Sequence, residues 1–157
     1  MDANYILTLE EISALAKEGG KPAETLMNVV ALIAKRFKVD VCSAYLLEPD
    51  RANLVLAATL GLSPHCVGAL RLALHEGLAG LVAEKVSPVA VEQVKSHPRF
   101  KYFREADEDN FQSFLGVPLL DRGALQGVLV VQTIEQRLFL DDEIRMLTEA
   151  AAQVAPW

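Results

Sequence analysis

Cysteine is almost absent from this chain: Cys42 and Cys66 are the only two in 157 residues. Two thiols cannot build a disulfide framework, and a reducing cytosol is the simplest compartment for them, so a cytoplasmic protein is expected. Histidine is nearly as scarce, with only His65, His75 and His97. His65 and Cys66 are sequence neighbours whose side chains should diverge, and no other Cys or His falls at zinc spacing, so neither a metal site nor a cofactor is expected. Basic runs are missing too. Fifteen Lys and Arg stand against 21 Asp and Glu, a net charge of −6, and phosphate binding needs clustered cations. Nucleic acid and anionic membrane surfaces are therefore poor partners. The longest stretch without formal charge, Ala52 to Leu70, has 19 residues, but Gly61, Pro64 and Gly68 break it, so no membrane span is expected. The opening Met1-Asp2-Ala3-Asn4 carries no basic n-region, and a secretory leader is not expected either. Nine glycines and seven prolines are too few for a low-complexity chain. What remains is 52 % apolar and 23 % charged residues, enough for one well-buried core at this length.

Thr8-Leu9-Glu10-Glu11 has the spacing of a capping box and predicts a helix start. Leu9, Ile12, Leu15 and Ala16 share one face of that helix, and Gly19-Gly20 supplies a stop. Pro22 suits the first turn of a second helix, whose Leu26, Val29, Val30, Ile33 and Phe37 recur at helical spacing and whose end carries Lys35, Arg36 and Lys38. The period then changes. Val41 to Leu47 and Leu54 to Thr59 read as a hairpin around a turn-rich linker, with further strands at Leu70 to Leu74, Val89 to Val91, Phe114 to Leu120 and Leu125 to Gln132. A short glycine-bearing helix is expected from Gly77 to Glu84, and Glu92 to Gln112 has no periodicity, which marks a long crossing loop. Asp141-Asp142-Glu143 open a last helix in which Leu140, Ile144, Leu147, Ala151 and Val154 repeat at heptad spacing. Together with Leu9 and Ile12, that seam predicts a homodimer through the terminal helices. The order of elements gives an α+β fold: an antiparallel sheet with terminal helices on one face and a loop and short-helix ligand pocket on the other.

This order, the run Glu76-Gly77-Leu78-Ala79-Gly80-Leu81-Val82-Ala83, the strand Ser113-Phe114-Leu115-Gly116-Val117-Pro118-Leu119 and its neighbour Gly127-Val128-Leu129-Val130-Val131-Gln132 resemble a GAF domain, the small-molecule sensor module of many signalling proteins. The resemblance spans nearly the whole chain, read as a single sensory unit over residues 1–157 and an N-terminal piece of a longer regulatory protein. Ser96-His97-Pro98-Arg99-Phe100-Lys101-Tyr102 is similar, more narrowly, to the N-terminal GAF domain of nitrogen-type phosphoenolpyruvate-protein phosphotransferases. That resemblance implies regulation by a nitrogen or carbon metabolite, glutamine or 2-oxoglutarate, acting on phosphotransferase domains in cis. It implies no catalysis here, because none of the three histidines matches the family's phosphorylated one.

Other GAF chemistries fit less well. The sulfoxide reductases of the family depend on several pocket cysteines, and Cys42 lies in an apolar strand run as a small hydrophobe would. Bilin attachment uses a cysteine followed by histidine, the reverse of His65-Cys66. The nucleotide-binding relatives carry an Asn-Lys that is replaced around Gln132-Thr133-Ile134, although Phe139, Asp142 and Glu143 remain. The acidic Glu105, Asp107, Glu108 and Asp109 lack the spacing of a calcium loop and read as a solvated segment. The candidate ligand site is therefore placed where a helix N-terminus follows basic residues: Arg71, His75 and Gly77, with Phe100, Tyr102 and Phe103 as aromatic cover and Ser113 at the head of the central strand. The competing reading is a structural dimerisation module whose pocket is filled by its own side chains.

Overall fold

A computed structural model describes residues 22–100 and 111–154. The helix expected from Thr8, together with its Leu9 and Ile12, lies outside the described residues. Helix α1 (Pro22–Phe37) starts on its proline and ends on Lys35 and Arg36, each at the end of the helix dipole that suits it. Its Leu26, Val29, Val30, Ile33 and Phe37 are buried. Lys38, in a left-handed conformation, closes it as the Lys38 N–H donates to the Lys35 carbonyl and the Val39 N–H to that of Ala34. This is the pair of bonds of a Schellman stop.

Six strands follow: β1 (Val41–Leu47), β2 (Asn53–Leu60), β3 (Arg71–Ala73), β4 (Val89–Val91), β5 (Ser113–Asp121) and β6 (Ala124–Thr133). They form one sheet in the order β3-β2-β1-β6-β5-β4, with antiparallel pairing throughout. The β5–β6 hairpin turns on Arg122 and Gly123, both at positive φ, as a two-residue turn matched to strand twist requires. Helix α2 (Gly77–Lys85) lies between β3 and β4, and α3 (Asp141–Val154) ends the described chain.

The central strands are covered on both faces, which is why their sequences read as unbroken apolar runs. Cys42, Ala44, Leu115, Val117, Leu119, Leu129 and Val131 face α1 and α3, whereas Val41, Tyr45, Phe114, Val128 and Val130 face α2 and the segment after β4. The α+β architecture with terminal helices on one face is the one expected.

The heptad seam has a different use from the one its spacing suggested. Leu147, Ala151 and Val154 are almost wholly buried in the core shared by α1, α3 and the sheet. Leu140 precedes α3 and is 60 % exposed, and Ile144 is only partly buried. A 4-3-4-3 spacing specifies one apolar stripe and does not say whether a partner helix or the chain's own sheet covers it. Here β5 covers it, so Leu147, Ala151 and Val154 are not available as a dimer seam.

Val86 ends α2 at φ 51° and ψ 43°, with its N–H donating to the Val82 carbonyl. A β-branched side chain is strained in that region, and this one is 44 % exposed, so little burial would be lost with it. Replacing Val86 by glycine is expected to stabilise the protein by about 1 kcal/mol, read as a higher urea midpoint at unchanged m value. A lower midpoint would show that the left-handed cap is not where the strain lies.

Candidate functional site

Helix α2 can lie close to the sheet because its interior residue is Gly80. A Cβ there would come 2.8 Å from the Leu74 carbonyl oxygen and 2.9 Å from that of Ala73. A second close approach sits below it, where a Cβ on Gly116 would meet the Val82 side chain at 2.7 Å and the Phe114 ring at 2.9 Å. Between these contacts and the sheet edge the layers leave a cavity of about 30 Å³. That is room for one or two water molecules.

The sheet supplies its floor through Tyr45 of β1, Leu72 of β3, Phe114 of β5 and Val130 and Gln132 of β6. Leu78 and Ala79 in the first turn of α2 form one wall, and Val94, Phe100 and Phe111 close it from the crossing segment. Four of these ten side chains are aromatic rings, and none is charged. The Gln132 amide and the Tyr45 hydroxyl are the polar groups among them, and both residues are buried.

Strand alternation decides which expected residues reach this place. Leu72 points into the pocket, so its neighbour Arg71 points out. The Arg71 Nε pairs instead with Glu48 Oε1 at 3.0 Å, on a side chain 54 % exposed. His75 is exposed in the turn before α2, where the adjacent Glu76 carboxylate accepts the Ala73 N–H at 2.9 Å. Gly77 is the buried first residue of α2, at φ 65°. Phe100 lines the cavity, and Tyr102 and Phe103 lie outside the described residues.

Ser113 is one register step from Phe114 and belongs to a different cluster. Its hydroxyl donates to the Glu92 carbonyl at 2.6 Å and accepts the Arg137 N–H at 2.7 Å. The Arg137 guanidinium donates to the Phe37 and Lys38 carbonyls at 3.0 and 3.2 Å, pairs with Glu143 and stacks over Phe139 at 4.9 Å from the ring centre. Glu143 also accepts the Leu140 N–H at 3.0 Å, half of a capping box for α3. This network ties the end of α1 to the start of α3 and to the segment after β4, so Ser113 is a structural staple and not a pocket residue.

Cys42 is fully buried on the helix-covered face, and burial pushes its thiol far up from the ordinary value, which keeps it protonated and unreactive. Cys66 is buried in the other cluster. Among the described residues, no group of three or more His, Cys, Asp or Glu is placed to hold a metal ion, and no helix is long and apolar enough to cross a membrane.

Residues 21–156 match the family described as GAF domain. The chain is a GAF domain. It is similar to the phosphoenolpyruvate-dependent phosphotransferase system protein of Escherichia coli (strain K12), 37 % identical over 147 residues, which cover 94 % of this chain and 20 % of that protein. This GAF domain thus spans about a fifth of the length of the curated relatives it matches first. Among solved structures it is similar to the GAF domain from a phosphoenolpyruvate-protein phosphotransferase of Coxiella burnetii, with a TM-score of 0.91 and 31 % identity over 98 % of this chain and 91 % of that one. The corresponding Acinetobacter GAF domain gives a TM-score of 0.88 and 34 % identity over 99 % and 93 % of the two chains. Both are GAF domains of phosphotransferases, and the segment shares their fold.

Proposed function

We infer that this GAF domain senses a small metabolite in the pocket between α2 and the sheet and regulates phosphotransferase domains in cis, in the cytoplasm, as part of a phosphoenolpyruvate-protein phosphotransferase of the nitrogen phosphotransferase system. The likeness to the E. coli protein over 94 % of this chain carries the reading. The ringed pocket with its single buried amide supports it, since small-molecule sites are mostly apolar with few polar groups. Of glutamine and 2-oxoglutarate, glutamine suits the pocket better. Its side-chain amide is neutral and can pair with an amide, whereas 2-oxoglutarate puts a second carboxylate in that place, for which the lining, among the described residues, offers no cation.

The test is thermal unfolding with each metabolite. At about 100 times its dissociation constant a ligand of the native state adds roughly 2.7 kcal/mol, which raises the midpoint by several degrees for a domain of this size. Glutamine is expected to give the shift, and Arg71→Ala and His75→Ala variants are expected to keep it. No shift with either metabolite would favour the second reading, a structural module with a closed pocket, which the 30 Å³ cavity and its apolar closure support. A homodimer would rest on Leu9, Ile12, Leu140 and Ile144, because the other seam residues are in the core, and sedimentation velocity measures it.

A further inference from the structure

The space in the cavity is about 30 Å³ as it stands, and Phe100, one of the side chains that line it, is held from a distance. Phe100 lines the cavity and packs against the same apolar cluster as α2, and its N–H donates to the His97 carbonyl at 3.1 Å. The preceding residue, Arg99, does not touch the cavity. It reaches in the other direction, where one guanidinium nitrogen pairs with Glu84 of α2 at 3.0 Å and another donates to the Leu74 carbonyl at 3.0 Å. Its own N–H donates to His97 Nδ1 at 3.0 Å. Arg99 thus joins the segment that carries Phe100 to both ends of the wall opposite: the turn leading into α2 and the last turn of α2 itself. That wall lies close to the end of β3, where a Cβ on Gly80 would come 2.8 Å from the Leu74 carbonyl oxygen.

We propose that Arg99 is the latch of this pocket: its bonds to Glu84 and the Leu74 carbonyl hold Phe100 across the cavity, and a molecule larger than water enters only when they release. This rests on the pocket being a binding site. It adds that the site's apparent affinity is set by residues that touch no ligand, because the competent state is populated only to the extent that the latch opens. The Glu84 carboxylate is 45 % exposed and the Arg99 side chain 24 %, so water competes for the pair and the latch can open without unfolding the domain.

Indole serves as the probe, since it is small and planar and matches the ringed lining. Its dissociation constant is to be measured by ligand-observed NMR for the native chain and for Arg99→Gln, Glu84→Gln, Phe100→Ala and Arg71→Gln. Arg99→Gln and Glu84→Gln are expected to tighten indole by about tenfold, the size of one charge-assisted hydrogen bond removed from the closed state. Phe100→Ala is expected to tighten it at least as much, and Arg71→Gln, which breaks an ion pair on the far edge strand, not at all. A merely structural ion pair would lower the melting temperature without tightening the probe. Native-like indole affinity in Arg99→Gln and Glu84→Gln overturns the latch, and so does failure of Phe100→Ala to bind indole at millimolar concentration. These outcomes are independent of whether glutamine or 2-oxoglutarate binds, so loss of the sensing reading and loss of the latch are told apart.

Discussion

Replacing Arg137 by alanine is expected to remove about 3 kcal/mol of stability, the largest loss from any polar side chain in the described structure. The guanidinium holds two carbonyls at the end of α1, the Glu143 carboxylate at the start of α3 and the face of Phe139. Glu143 is only 8 % exposed, so removal of its partner leaves a carboxylate that is desolvated but no longer paired. Arg137→Lys is expected to recover only part of the loss, because a single ammonium cannot span the two carbonyls and the carboxylate as the planar fork does. Urea unfolding of the two variants beside Glu143→Gln gives the numbers. A cost below about 1 kcal/mol for Arg137→Ala would place the pair with ordinary surface ion pairs and remove the staple between the terminal helices from the account.

Phe114→Ala is expected to cost more, about 3–5 kcal/mol, as for other buried Phe truncations. The ring is 4 % exposed, forms part of the pocket floor and abuts the space above Gly116 where α2 leans on β5. The backbone around it is fixed by pairing with β4 on one side and β6 on the other, so collapse into the void is limited and the enlarged cavity persists. Chemical denaturation at unchanged m value measures the loss. A cost near 1 kcal/mol would mean that α2 closes onto the sheet when the ring is removed, and the pocket would then not be a rigid feature of the fold.

The elements were legible in the sequence because their periods are clean. Pro22 and the spacing from Leu26 to Phe37 mark the extent of α1, and the apolar runs from Phe114 and Leu125 mark the two long central strands. Gly77 and Gly80 announced close packing of the short helix, and the Leu74 carbonyl oxygen, which would lie 2.8 Å from a Cβ on Gly80, accounts for it. Faces were harder to read. One register step moves Arg71 and Leu72, and likewise Ser113 and Phe114, to opposite layers, and in β5, buried on both faces, the apolar run does not say which residues face which layer. The acidic turn Asp141-Asp142-Glu143 reads as a helix start, but that Glu143 would also hold an arginine six residues earlier depends on the loop between β6 and α3 folding back. The heptad in α3 was visible and its partner was not, since a sheet and a second helix accept the same stripe. The pocket itself was mostly hidden: Val94 and Phe111 come from the aperiodic segment, and Gln132 from the end of a strand otherwise read as core. The buried amide within an apolar run was the one signal that could have pointed to it.

An NMR titration of isotopically labelled protein with glutamine tests the central claim most directly, because it reports binding and location together. The account predicts saturable one-to-one binding with the largest shifts at Tyr45, Leu78, Ala79, Val130 and Gln132, and none at Arg71 or His75. Saturable shifts confined to the surface around Arg71 and His75, or no shifts at millimolar glutamine, would contradict it.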